Sequence, residues 1–206
     1  MKAKSNERRR IHRSWRRLFV NGILGQNPVL TGGLGFYLVL TGCRTLDRAL
    51  VIAGATFCLM LLVCALGSLF GKKLAPWLRL PFVFLLAAAG SVPLNLAVWS
   101  FFPQTAAEWG LCGILLAANS ALLAKASKSA VEKKLPAALA EAAGSAIGYG
   151  LVLIALSGVW MVLEAFGLGE AFGKAPVVTG VVGIACLSAL LQYFENRLQK
   201  RKGRVL

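Results

Sequence analysis

Few residues in this sequence can do chemistry. The single histidine, His12, sits among arginines in a basic N-terminal run, so neither a zinc site nor a histidine-based triad can be assembled. Residues 67–73 read GSLFGKK, close to a phosphate-cradling loop. They lack the Ser or Thr that would follow the lysine and hold magnesium. The five cysteines, Cys43, Cys58, Cys64, Cys112 and Cys186, are too sparse for a disulfide scaffold, and four of them fall in apolar stretches. What remains is a set of neutral polar side chains within apolar runs: Tyr37, Ser91, Asn95, Asn119, Ser120, Tyr149 and Ser157. Such groups hydrogen-bond between helices or offer oxygens to a dehydrated cation, but they cannot hold a buried charge alone. Glu141 and Glu164 flank one apolar run and are expected to be interfacial rather than catalytic.

The elements that carry these groups follow from composition. The 206 residues are 57% hydrophobic and 15% charged, whereas soluble chains run at about 45–50% apolar and about 25% charged. The formal charge of +15 would suggest nucleic acid, but the basic residues lie at the ends and in short breaks between apolar runs. That is the distribution of an integral membrane protein, in which basic residues also attract anionic lipid. No nucleic-acid-binding fold or motif accompanies the charge. The basic tail leads into a polar-interrupted segment, residues 15–24, that reads as an interfacial amphipathic lead-in rather than a cleavable signal.

About 20 apolar residues are needed to cross a hydrocarbon core of roughly 30 Å. Residues 50–70, 80–102, 142–163 and 176–194 meet or nearly meet that length without a charge. Residues 28–41 and 109–123 are apolar but short, and the charge pattern requires both as spans. With six spans, the alternate outside-membrane pieces that include both termini hold 20 Lys/Arg and the other pieces hold 3. The positive-inside rule then places both termini in the cytoplasm.

The expected fold is all-α and integral to the membrane, with six transmembrane helices arranged as a 3+3 inverted repeat. Residues 1–27 form a basic tail with the interfacial segment, 28–103 the first repeat, 104–194 the second, inverted repeat, and 195–206 a second basic tail. Each repeat opens with a short helix interrupted by glycine: Gly32, Gly33 and Gly35 in one, Gly110 and Gly113 in the other. Paired broken helices in inverted repeats point to a site at the midplane where the repeats meet. The candidate residues for that site are Gly35, Tyr37, Asn119 and Ser120. Gly144, Gly148 and Gly150 supply small-residue spacing for helix packing.

Several segments, in order, resemble the membrane subunits of the Rnf and Nqr respiratory complexes, of the RnfE/NqrD type. They are Asn-Pro-Val-Leu at 27–30 with the Gly-rich helix that follows, Arg-Leu-Pro-Phe at 79–82, Ala-Asn-Ser at 118–120 and Ile-Gly-Tyr-Gly at 147–150. The resemblance covers about residues 18–193. It implies a 3+3 inverted repeat with half-helices at positions one and four, in the inner or plasma membrane of a prokaryote. It also implies a homologous partner of the RnfA/NqrE type, or a second copy of this chain, within a larger complex that moves Na+ or H+. In such pairs each member gives two cysteines, one from each short helix, to a [2Fe-2S] cluster that relays electrons across the membrane, and the irons require those thiolates.

Here the two cysteine positions fall at Tyr37 and Ser120, and the acidic residue that usually follows the fourth helix falls at Ser127. The expectation is therefore that this chain binds no cluster of its own, is not an enzyme by itself, and serves as a structural or ion-path half of a pair. Cys43 lies six residues beyond Tyr37, roughly 9 Å along a helix, and Cys112 eight residues before Ser120, roughly 12 Å. The two could form a displaced metal pair, a disulfide, or two unpaired small side chains. The alternative function is the membrane component of a vitamin or other small-molecule uptake system.

Overall fold

A computed structural model describes residues 18–20, 22–23, 27, 29, 33–42, 44–109, 112–167, 181–183, 185–186, 188–189 and 193. Residues 1–17 and 195–206, Cys43 and most of the last apolar run, 176–194, lie outside them. Every regular element among the described residues is helical. In chain order these are α1 (Phe36–Gly42), α2 (Leu46–Phe70) with a 3-10 turn (Gly71–Lys73), α3 (Pro76–Phe101) and α4 (Pro103–Trp109). They continue as α5 (Cys112–Ala117), α6 (Ser120–Ala124), a π-helical stretch (Lys125–Ala130) and α7 (Leu135–Ala165).

Three of these are long and apolar enough to cross a membrane: Leu46–Lys73, Pro76–Phe101 and Leu135–Ala165. Each starts on a recognisable signal. Thr45 caps α2, its hydroxyl accepting from the Arg48 amide, with Asp47 in the first turn. Proline opens both α3 and α7, where a missing amide proton costs nothing. The chain is a multi-pass membrane protein. The two short apolar runs, at 28–41 and 109–123, do not form continuous helices, and it is their interruptions that shape the site.

The core lies between α2 and α7, which pack along each other. Ile52, Leu59, Met60 and Val63 from α2 and Val152, Leu153 and Leu156 from α7 are buried there. Half of the apolar window of α7 is buried but only 22% of that of α3, so α3 is peripheral and faces lipid. Trp77 and Trp99, near its two ends, are 77% and 57% exposed. Twenty-two residues apart, they stand roughly 33 Å from each other along the helix, the spacing of aromatic belts at two membrane interfaces.

Glycine permits the closest approaches. Gly144 and Gly148 of α7 lie against the segment that precedes α1. A methyl group on Gly144 would overlap the Phe19 carbonyl, and one on Gly148 would stand 2.6 Å from the Ile23 carbonyl oxygen. Gly150 faces the other way, 3.1 Å by the same measure from the Ala53 side chain on α2. The segment read as an interfacial lead-in therefore has part of its length, around Gly22, seated on α7.

Candidate functional site

The two interrupted helices meet at their interruptions. Before α1 the chain turns through Gly33 and Gly35, with φ of +60° and +74°, left-handed conformations open to glycine at little cost. Between α5 and α6 the break falls at Ala118–Asn119. There the Asn119 side chain accepts from the Ala121 amide at 3.0 Å and caps α6.

Three residues from the second half close on the first break. The Gly35 amide donates to Ser120 Oγ at 2.8 Å. The Tyr149 hydroxyl donates to the Gly35 carbonyl at 3.1 Å, in a buried bond. A methyl group at Gly35 would lie 2.6 Å from Asn119 Oδ1 and 2.8 Å from Tyr149 Cε2, so no larger residue fits. The Gly35 amide is thus satisfied by a side chain of the other half, and its carbonyl, which also accepts from the Val39 amide at 3.3 Å, takes the Tyr149 hydroxyl as a second donor. This is how non-helical backbone is tolerated at membrane depth.

Of the four sequence candidates, Gly35, Asn119 and Ser120 come together here. Tyr37 lies on α1, two residues from the break, with 53% of its surface exposed beside buried Leu38 and Val39. Ser120 is exposed as well, while Asn119 before it and Ala121 after it are buried. Gly113 is drawn in through its carbonyl, which accepts from Asn95 Nδ2 of α3 at 3.2 Å. Gly32 and Gly110 lie outside the described residues, as does Cys43. Cys112 is buried at the start of α5, Cys64 is buried in α2, and Cys58 is exposed. Among the described residues no three His, Cys, Asp or Glu side chains cluster as a metal site would require. A cavity of about 640 Å³ lined by Asp47, Cys58, Leu94, Phe101 and Gln104 opens between α2 and α3, but the helix breaks do not line it.

Glu141 departs from the sequence reading, which puts it at the flank of a span. Helix α7 begins seven residues earlier than the uncharged run, at Leu135, and the carboxylate is 4% exposed. Glu141 Oε1 pairs with Lys125 Nζ at 3.0 Å and Oε2 with Lys133 Nζ. Lys125 opens the π-helical stretch that continues the broken helix. Unusual turns of this kind often occur at functional places in helices. Ser68 of α2 fastens the same region, its hydroxyl donating to the Lys133 carbonyl at 2.9 Å. Counting charge-free spans does not find this cluster. Pro136 is the available signal, because proline near a helix start places Glu141 inside the helix rather than before it.

Comparisons with known proteins identify the family and two relatives. The profile of a family described as "Rnf-Nqr subunit, membrane protein" matches residues 15–193. The chain is 28% identical over 167 residues to the E component of the ion-translocating oxidoreductase complex of Thioalkalivibrio sulfidiphilus (strain HL-EbGR7), covering 81% of this chain and 72% of that protein. The protein of the same name from Cellvibrio japonicus (strain Ueda107) is 26% identical over 167 residues, with 81% and 69% covered. Helices long enough to span, two interrupted helices meeting at their breaks, and a family match over nearly the whole length lead to one conclusion: the chain belongs to the Rnf-Nqr family of membrane subunits.

Proposed function

We propose that this chain is the RnfE-type half of a membrane pair in an ion-translocating oxidoreductase complex, and that it supplies no ligands to an intramembrane [2Fe-2S] cluster. The observation that carries the reading is the junction of the two breaks, where Ser120 of one half holds the amide of Gly35 in the other at 2.8 Å. This is the juncture at which an inverted repeat of three plus three helices builds its site. Both termini then lie on the cytoplasmic side of a prokaryotic inner membrane. The exposed face carrying Tyr37 and Ser120 is covered by a homologous partner or by a second copy.

The donor chemistry supports the absence of cluster ligands. At the two family cysteine positions this chain offers a phenol and a hydroxyl, and the hydroxyl of Ser120 is already engaged by Gly35. Iron–sulfur clusters need thiolates there. Cys112 is at the far end of α5 from Ser120, so it does not replace the missing sulfur at the break. The chain then acts by shape and by its polar groups, and electrons that cross the membrane use the partner's ligands. The vitamin-uptake reading is not favoured, because the relatives are components of oxidoreductase complexes.

Anaerobic purification with copurifying proteins, followed by iron and acid-labile sulfide counts and EPR of the reduced sample, tests this. The expected result is a homologous membrane protein in the preparation and no iron in this chain when it is isolated. A [2Fe-2S] signal that stays with the isolated chain and disappears in Cys43→Ser or Cys112→Ser would overturn the reading.

A further inference from the structure

Helix α7 carries Glu141, Ser145 and Tyr149 on successive turns, each step about 6 Å along the axis. All three are buried, at 4%, 0% and 1% exposure. The two ends of this column have partners: Glu141 its two lysines, and Tyr149 the carbonyl of Gly35. Ser145 Oγ, between them, has no hydrogen-bond partner among the described residues. Neither has Ser157 Oγ, further along α7, nor Thr56 Oγ1 on α2, the helix packed against it. Ser157 and Thr56 are as deeply buried, at 0% and 1% exposure. An unpaired polar atom at membrane depth costs several kcal/mol, and several in one bundle call for ordered water.

The spacing says what such water could carry. Two hydrogen bonds of about 2.8 Å meeting at a water's near-tetrahedral angle span roughly 4.5 Å, so one or two waters link side chains that leave the helix on adjacent turns. A metal cation would need several ligands in one place, whereas these three side chains leave the helix one turn apart, and no three His, Cys, Asp or Glu cluster among the described residues. Hydroxyls and water are each both donor and acceptor, which is the requirement for passing a proton.

We propose that a chain of ordered water along Glu141, Ser145 and Tyr149 conducts protons between the basic end of the bundle and the helix breaks. At each step a water or hydroxyl oxygen accepts one proton and releases another onward, leaving every group as it began. This deepens the functional reading above and rests on it for the direction and purpose of the movement.

Radiolytic hydroxyl-radical labelling of the complex in lipid nanodiscs detects water held beside buried side chains. Tyr149 is labelled despite its burial. Ser145→Val, which replaces the hydroxyl with a methyl group, lowers that labelling by about fivefold or more and leaves Tyr37 unchanged. Ser145→Thr restores it. If valine prevents folding, Ser145→Cys makes the same test with a far weaker hydrogen-bonding group. An unlabelled Tyr149 in the unaltered chain, or labelling indifferent to Ser145→Val, overturns the column.

A second arm reads proton uptake with a pH-sensitive dye in vesicles carrying the complex during turnover. The signal falls at least about tenfold in Ser145→Val and recovers in Ser145→Thr. Sodium uptake with no dye signal in the unaltered complex overturns the proton assignment. An unlabelled Tyr149 in the unaltered complex with the homologous partner still attached sinks the column and leaves the family function standing. A labelled Tyr149 in a preparation without any homologous partner does the reverse.

Discussion

The two helix interruptions do the same job by different means. The first uses glycine, with Gly33 and Gly35 at φ of +60° and +74°, and although Gly33 donates to Val29 and Val39 to the Gly35 carbonyl, its Gly35 amide relies on a distant side chain. Its amide and carbonyl at Gly35 are held by Ser120 and Tyr149, 85 and 114 residues away in sequence. The second uses asparagine at an ordinary φ of −62° and caps its own helix two residues on. The glycine break thus needs a tertiary partner for its Gly35 amide, whereas the asparagine break caps its own helix through a bond made within the local chain. The lesson is that the second half acts as template for the first, and substitutions at the two breaks should differ accordingly.

Gly35→Ala is the strongest way to break this asymmetry. It forces a side chain into a left-handed backbone, at roughly 1–2 kcal/mol, and drives it into Asn119 and Tyr149, at about 1–3 kcal/mol more. We expect the protein to lose most of its folded yield, read by size-exclusion profile and thermal scanning in detergent. A variant that melts with the unaltered protein would mean that the junction does not hold the fold.

Tyr149→Phe comes next. It removes one of the two donors to the buried carbonyl of Gly35, which keeps the Val39 amide, expected to cost about 1–1.5 kcal/mol, with a lowered Tm and faster hydrogen exchange in the segment around the first break. Gly33→Ala separates backbone strain from crowding, since a methyl group there meets nothing within 4 Å. Only the left-handed strain of roughly 1–2 kcal/mol remains, so the same melt should show a clearly smaller shift than Gly35→Ala. An equal shift would remove packing from the account of Gly35. The smallest effect belongs to Asn119→Ala, which deletes a cap worth about 1 kcal/mol. Its melting shift should be modest, and a collapse like that of Gly35→Ala would show the second break to depend on its neighbours after all.

The chain's own residues, read in order, determined that it is an all-α membrane protein and that two apolar runs are too short and glycine-rich to be ordinary spans, while the long helices begin about four residues (α2, α3) and seven residues (α7) before the uncharged runs at 50–70, 80–102 and 142–163. These are local properties: apolar length against bilayer thickness, capping chemistry and backbone freedom. Gly35, Asn119 and Ser120 were legible as a group because corresponding interruptions in two halves imply a meeting point.

Tertiary structure alone decided the rest. It put Tyr149, from what reads as packing glue, onto the carbonyl of Gly35, and left Tyr37 half exposed on α1. It also buried Glu141, which span counting assigns to a flank, between Lys125 and Lys133. A hydrophobicity pattern records how much apolar surface a segment has. It does not record which distant backbone group is left without a partner when a helix breaks, and that unmet hydrogen bond is what selects the residues around the junction.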